Sequence, residues 1–122
     1  MPDTGEEMYG KEMEMMTSLI RSRINRINGF RGYIRLRYGV NTNIVVIDKN
    51  TAKIAYLFSR DRGVGNGSAA LDKILAFLDS LGFTRVLLEV HRNIDRLTAW
   101  YEKHGFNVVN RENGIVYMER VV

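Results

Sequence analysis

The nine residues Arg60-Asp61-Arg62-Gly63-Val64-Gly65-Asn66-Gly67-Ser68 stand between an apolar, aromatic run and a strongly periodic stretch, and they constrain the chain more than any other segment. Three glycines within Gly63–Gly67 let the backbone take positive φ angles and approach a ligand closely, because no Cβ intervenes. Backbone N–H groups then point into a concavity. A helix starting near Ser68 adds its unpaired first-turn N–H groups and the positive end of its dipole to the same field. Such a turn suits a phosphate or pyrophosphate. A nucleotide P-loop is excluded, because Ser68-Ala69-Ala70 stands where the Lys-Ser/Thr pair is needed. A dinucleotide fingerprint lacks its third glycine, where the chain has Ser68, although Glu89 falls near the distance such a site needs.

The periodicities on either side of the turn define the elements. Tyr9, Met13, Met16, Ile20, Ile24 and Ile27 recur at helical spacing, so a first helix is expected over Glu6–Asn28, stopped by Asn28-Gly29. Three strands are expected next, over Arg31–Tyr38, Asn43–Asp48 and Lys53–Phe58, as an antiparallel meander. The first alternates, with Tyr33, Arg35 and Arg37 opposite Ile34, Leu36 and Tyr38. The second, apolar over Ile44–Ile47, should be central and covered on both faces. Leu71, Ile74, Leu75, Leu78 and Leu81 then form a helical stripe ending at Gly82. Arg85–Val90 follows as a buried strand, which makes a βαβ unit with a parallel pair. Another helix is expected over Asn93–His104, and then a hairpin of Phe106–Arg111 and Ile115–Val121 about Asn113-Gly114.

Composition sets outer limits. A chain of 122 residues, 45% hydrophobic and 26% charged, describes one domain over residues 1–122. The absence of cysteine excludes a disulfide framework and a thiolate nucleophile, and two histidines are too few for a metal site. No run has the length of a membrane span and the acidic N-terminus lacks a signal-peptide pattern, so the expected compartment is the cytoplasm. The net charge of +4 is uneven: Arg21, Arg23, Arg26, Arg31, Arg35 and Arg37 follow one another without an intervening acid. Such a cluster attracts an anionic partner or is simply a solvated face.

The glycine turn resembles the Gln/Arg-x-x-Gly-x-Gly/Ala motif of the GNAT superfamily of acyl-CoA-dependent N-acetyltransferases, which Arg60-Asp61-Arg62-Gly63-Val64-Gly65 fits at every position. Asn93…Trp100-Tyr101-Glu102-Lys103-His104-Gly105-Phe106 is similar to that family's Asn…Tyr-Glu-Lys-x-Gly-Phe signature, and the order of elements is the family's order. The resemblance covers roughly residues 54–120. It implies an α+β, GNAT-like fold with a mixed sheet: an N-terminal helix, an antiparallel meander, a βαβ unit and a C-terminal hairpin. It also implies acetyl-CoA as co-substrate. The end of the strand, Leu57, Phe58 and Ser59, would bind the pantetheine arm, and Arg60, Arg62, Gly63, Val64, Gly65, Asn66, Gly67 and Ser68 would hold the pyrophosphate. Asn93 would touch the cofactor, unless it is only a helix cap. Tyr101 would be the general acid for the departing thiolate, a role that suits a phenol because it stays protonated near neutral pH.

The implied reaction is direct transfer of acetyl from acetyl-CoA to a primary amine in a ternary complex, without a metal. No acid stands in Lys53–Phe58, where many relatives keep a general base, so the base is unassigned. Asn93 lies one residue further from Tyr101 than is common, and one helix replaces the usual N-terminal strand and helix pair. The arginine cluster points to an acceptor that is acidic or lies on an acidic macromolecule. Two other functions fit the same residues: a non-catalytic acyl-CoA-binding module, and a nucleic-acid-binding domain using Arg21–Arg37, which is the less expected. A homodimer is compatible with all three.

Overall fold

The computed structural model describes residues 4–59 and 66–122, with the side chains of residues 4–13 and 16 excepted. Tyr9, Met13 and Met16 of the expected first stripe, and the turn residues Arg60, Arg62, Gly63, Val64 and Gly65, therefore lie outside what is described. The elements run α1 (Thr4–Tyr38), β1 (Val40–Val46), β2 (Thr51–Ser59), α2 (Asn66–Ser80), β3 (Arg85–Val90), α3 (Ile94–Lys103), β4 (Asn107–Glu112) and β5 (Ile115–Val121). They form a mixed five-stranded sheet in the order β1-β2-β3-β5-β4, in which β2 and β3 are parallel and the other neighbours antiparallel.

The N-terminal helix does not stop at Asn28-Gly29, and the strand expected over Arg31–Tyr38 is helix. Ile27, Phe30, Ile34 and Tyr38 repeat at spacings of three and four, a helical period that competes with the alternation read as a strand. The burial decides between them: Ile34 is fully buried whereas Leu36, two residues on, is 86% exposed. Phe30 stacks on Phe77 of α2 with ring centres 4.0 Å apart. Gly29 and Gly32 each cost a helix about 1 kcal/mol relative to alanine. Burying Ile27 and Ile34 returns more, at roughly 1.5–3 kcal/mol per side chain. The true stop is Gly39, at φ +66°, whose N–H donates to the Arg35 carbonyl at 3.0 Å. The antiparallel part of the expected meander is thus the β1–β2 hairpin.

β1 is an edge strand, not a central one, and Val45 and Ile47 are 42% and 51% exposed. Its apolar run has a single covered face. Across the sheet the same face is buried at Ile44, Ala52, Ile54, Val86, Leu88, Val90, Val116 and Met118. α1 lies on β1 and α2, α2 on β1 and β2, and α3 on β3, β4 and β5. The helices share that face, because α3 reaches α2 directly through His104. At the lower end of the sheet the buried Arg23 donates to the Lys49 carbonyl and lies 4.6 Å over the Phe83 ring, which ties α1 to the β1–β2 loop. The last hairpin turns at Asn113 and Gly114, both at positive φ, as the Asn-Gly pair predicts.

Candidate functional site

The βαβ unit opens where it should close. β2 and β3 pair from Thr51↔Arg85 to Ile54↔Leu88 and no further, although β2 continues to Ser59 and β3 to Val90. Among the described residues, β2 beyond Ile54 keeps β1 alone as a strand neighbour, and Glu89 and Val90 keep β5 alone. A register shift between Asn43 and Ile44 leaves Ala55 as an extra residue on β2, at the point where the two strands part. Such a bulge bends its strand and sharpens the local twist. The result is a cleft between the carboxyl ends of two parallel strands, where open α/β sheets place ligands.

The first turn of α2 stands at the mouth of this cleft. The helix starts at Asn66 rather than Ser68, so Asn66, Gly67 and Ser68 are its first residues and carry its unpaired N–H groups. There is no acid in that first turn to compete for them. Gly67 sits beside Trp100 of α3, since a Cβ on Gly67 would lie 3.7 Å from the indole. Ser68 is held from the same side: His104 Nε2 lies 3.3 Å from Ser68 Oγ, while His104 Nδ1 lies 3.1 Å from Asp72 Oδ1. This Asp72–His104–Ser68 chain was not expected from the sequence. Only the i, i+4 spacing of Ser68 and Asp72 hinted at it. It orients the Ser68 hydroxyl at the helix start, where an anion would lie.

Leu57 packs against the core, Phe58 is 55% exposed and Ser59 is half-buried, so the end of β2 presents backbone and one aromatic ring toward the cleft end of the sheet. Asn93 occupies the cap position of α3 in the left-handed conformation, φ 46°, yet its side chain makes no capping hydrogen bond. It is exposed. A capping role therefore does not account for its side chain. Tyr101 is buried to 8% exposure, with its ring edge-on to Trp100 and Phe106, and its hydroxyl has no hydrogen-bond partner among the described residues. Burial pushes its phenol up to about 12, which keeps it a proton donor across the neutral range.

One further carboxylate lies at the cleft rim. Glu89, one residue past the last β2–β3 pair, forms an ion pair with Lys53 of β2 and faces His91 at 3.5 Å. The Lys53 hydrogen bond holds its carboxyl below the usual range, against the opposing effect of burial. The expected strand face of Tyr33, Arg35 and Arg37 does not exist, because on a helix residues two apart point in different directions. Among the described residues no group of three His, Asp or Glu side chains is placed to hold a metal ion, and no helix is long and apolar enough to cross a membrane.

No family model and no curated protein matches the chain. Solved structures do. A GNAT family acetyltransferase from Elizabethkingia anophelis with acetyl-CoA bound superimposes with a TM-score of 0.59 at 13% identity, over 66% of this chain and 67% of that one. The PaiA N-acetyltransferase of Thermoplasma acidophilum in complex with coenzyme A gives 0.60 at 22% identity, over 66% and 52%. An acetyltransferase from Streptococcus agalactiae gives 0.58 at 17% identity, over 84% and 78%. The match thus spans about half to two thirds of the first two of these proteins.

Proposed function

Because this chain has the fold of the GNAT acetyltransferases, we propose that it binds acetyl-CoA in the β2–β3 cleft and transfers the acetyl group to a primary amine. The observation that carries this reading is the parallel pairing that ends at Ile54↔Leu88, with the first turn of α2 at the mouth of the opening. Residues 55–58 of β2 have no β-strand neighbour on that side among the described residues, so an extended pantetheine arm fits there as a substitute strand. The pyrophosphate then lies against Arg60, Arg62, Gly63, Val64, Gly65 and the N–H groups of Asn66, Gly67 and Ser68.

In the reaction the amine nitrogen attacks the thioester carbonyl carbon, the C–S bond breaks, and the nitrogen loses a proton as the sulfur gains one. Tyr101 is assigned the second proton: a phenol raised to about 12 is fully protonated at neutral pH and can donate to the leaving thiolate. Glu89 is a weak base while Lys53 holds it.

That same restraint favours a second reading, an acyl-CoA-binding module without turnover, in which Tyr101 is a core residue. Calorimetry with acetyl-CoA tests the shared part. Saturable binding is expected, weakened at least tenfold by Gly65→Val, whose side chain blocks the backbone's approach to phosphate. Unchanged affinity in the folded variant removes the assignment. Turnover on a panel of amines separates enzyme from module.

A further inference from the structure

On the β1 side of β2, away from the cleft, α1 and the β1–β2 hairpin enclose an open cavity of about 300 Å³. Asn28, Arg31 and Arg35 of α1 face Asn41 and Thr42 of β1 and Tyr56 of β2 across it. Arg31 and Arg35 are one helical turn apart, so both guanidinium groups serve the same side of the helix. Arg31 is fixed in place, with Nε donating to the Thr42 carbonyl at 2.7 Å and Nη2 lying 3.5 Å from the Tyr56 hydroxyl. Its Nη1 makes no bond among the described residues, and neither does the guanidinium of Arg35. No acid among the described residues lines the cavity, and the sequence has none between Glu14 and Asp48. Gly32 also lines it, and a Cβ there would meet nothing within 4 Å.

A space bounded by two guanidinium groups with no acidic partner among the described residues, and by two side-chain amides, suits an oxyanion, because every one of these groups donates hydrogen bonds and the arginines attract charge. Its position adds a function. Tyr56 belongs to the stretch of β2 that diverges from β3, so the cavity and the cleft lie on opposite sides of one strand, and neighbouring strands are about 4.8 Å apart. We propose that this cavity binds the anionic end, carboxylate or phosphate, of the amine acceptor. The acceptor role rests on the acetyl-transfer reading above. Oxyanion binding by itself does not.

The test separates the two. In a titration of the isotope-labelled protein with succinate, and separately with inorganic phosphate, the Arg35 Nε–H and the Asn28 and Asn41 side-chain amide signals should shift saturably at 50 mM salt. Gly32→Leu fills the space without backbone strain, and Arg35→Gln removes one charge from an exposed side chain. Each should weaken anion binding at least fivefold while acetyl-CoA affinity stays within twofold. Ethanolamine, β-alanine and O-phosphoethanolamine then serve as matched acceptors. A kcat/KM at least tenfold higher for one of the two anionic amines, lost in Gly32→Leu, supports the proposal and identifies carboxylate or phosphate as the preferred group. Shifts spread evenly over all arginines, or affinity retained in folded Gly32→Leu, overturn it. Anion binding without acetyl-CoA binding would leave the oxyanion site standing and defeat the acetyl-transfer reading. Absence of turnover on all three amines overturns the acceptor role, and the titration then decides oxyanion binding alone.

Discussion

Tyr101 shows how one environment limits what a side chain can do. Its position in Trp100-Tyr101-Glu102-Lys103 was legible, but its burial was not, because that depends on how α3 packs on β3, β4 and β5. Burial disfavours the phenolate, so the group is a donor and never a base near neutrality. Tyr101→Phe should lower turnover by roughly one to three orders of magnitude while acetyl-CoA binding is kept. The raised phenol also has a stability consequence. The unfolded chain releases this proton near pH 10 and the folded one only near pH 12, so above pH 10 the unfolded state binds fewer protons and is favoured as pH rises. Stability is therefore complete below pH 10 and falls between 10 and 12, by up to about 2 kcal/mol from this residue. Tyr101→Phe should lack that part of the alkaline loss when unfolding is followed across pH 9–12. Identical alkaline curves would show that the phenol is solvated.

Among the elements, α1 carries the largest difference between expectation and structure. Over residues 31–38 the sequence contains both an alternating and a helical pattern, and local periodicity alone does not choose between them. Packing does: Phe77 and the covered face of β1 receive Phe30 and Ile34 only if the helix continues through Gly29 and Gly32. Ile34→Ala should therefore cost about 2–5 kcal/mol in urea unfolding, as a large-to-small change in a closed core does. Leu36→Ala should stay within about 0.5 kcal/mol. Similar losses at both positions would restore the strand. By contrast β3, α3 and the final hairpin match their expected positions to within a residue or two, because each is bounded by a glycine or Asn-Gly stop whose φ is positive in the structure.

For the whole molecule, ligand binding and stability are coupled. A ligand that binds only the folded chain stabilises it by RT ln(1 + [L]/Kd), about 2.7 kcal/mol at a hundredfold excess over Kd. Acetyl-CoA at that excess should raise the melting temperature of the protein by several degrees, since 1 kcal/mol is worth about 4–8 °C in a domain near this size. A tenfold weaker Gly65→Val should keep about half of the rise at the same acetyl-CoA concentration, measured against the melting temperature of the free variant. A rise that survives undiminished in that variant would place the ligand elsewhere.

The stripes of α2 and α3, the short buried run of β3 and the Asn-Gly hairpin were readable from the chain, because each is written in spacings of two, three or four residues. So was the likeness to acyl-CoA-dependent transferases, carried by two local motifs. The end of β2–β3 pairing at Ile54↔Leu88, the Asp72–His104–Ser68 chain, the Lys53–Glu89 pair and the cavity between Arg35 and Tyr56 join residues 21 to 36 positions apart, apart from Ser68 and Asp72. No local period encodes such distances. They are decided when the helices settle on one face of the sheet, and the burial gained there outweighs what each short segment prefers on its own.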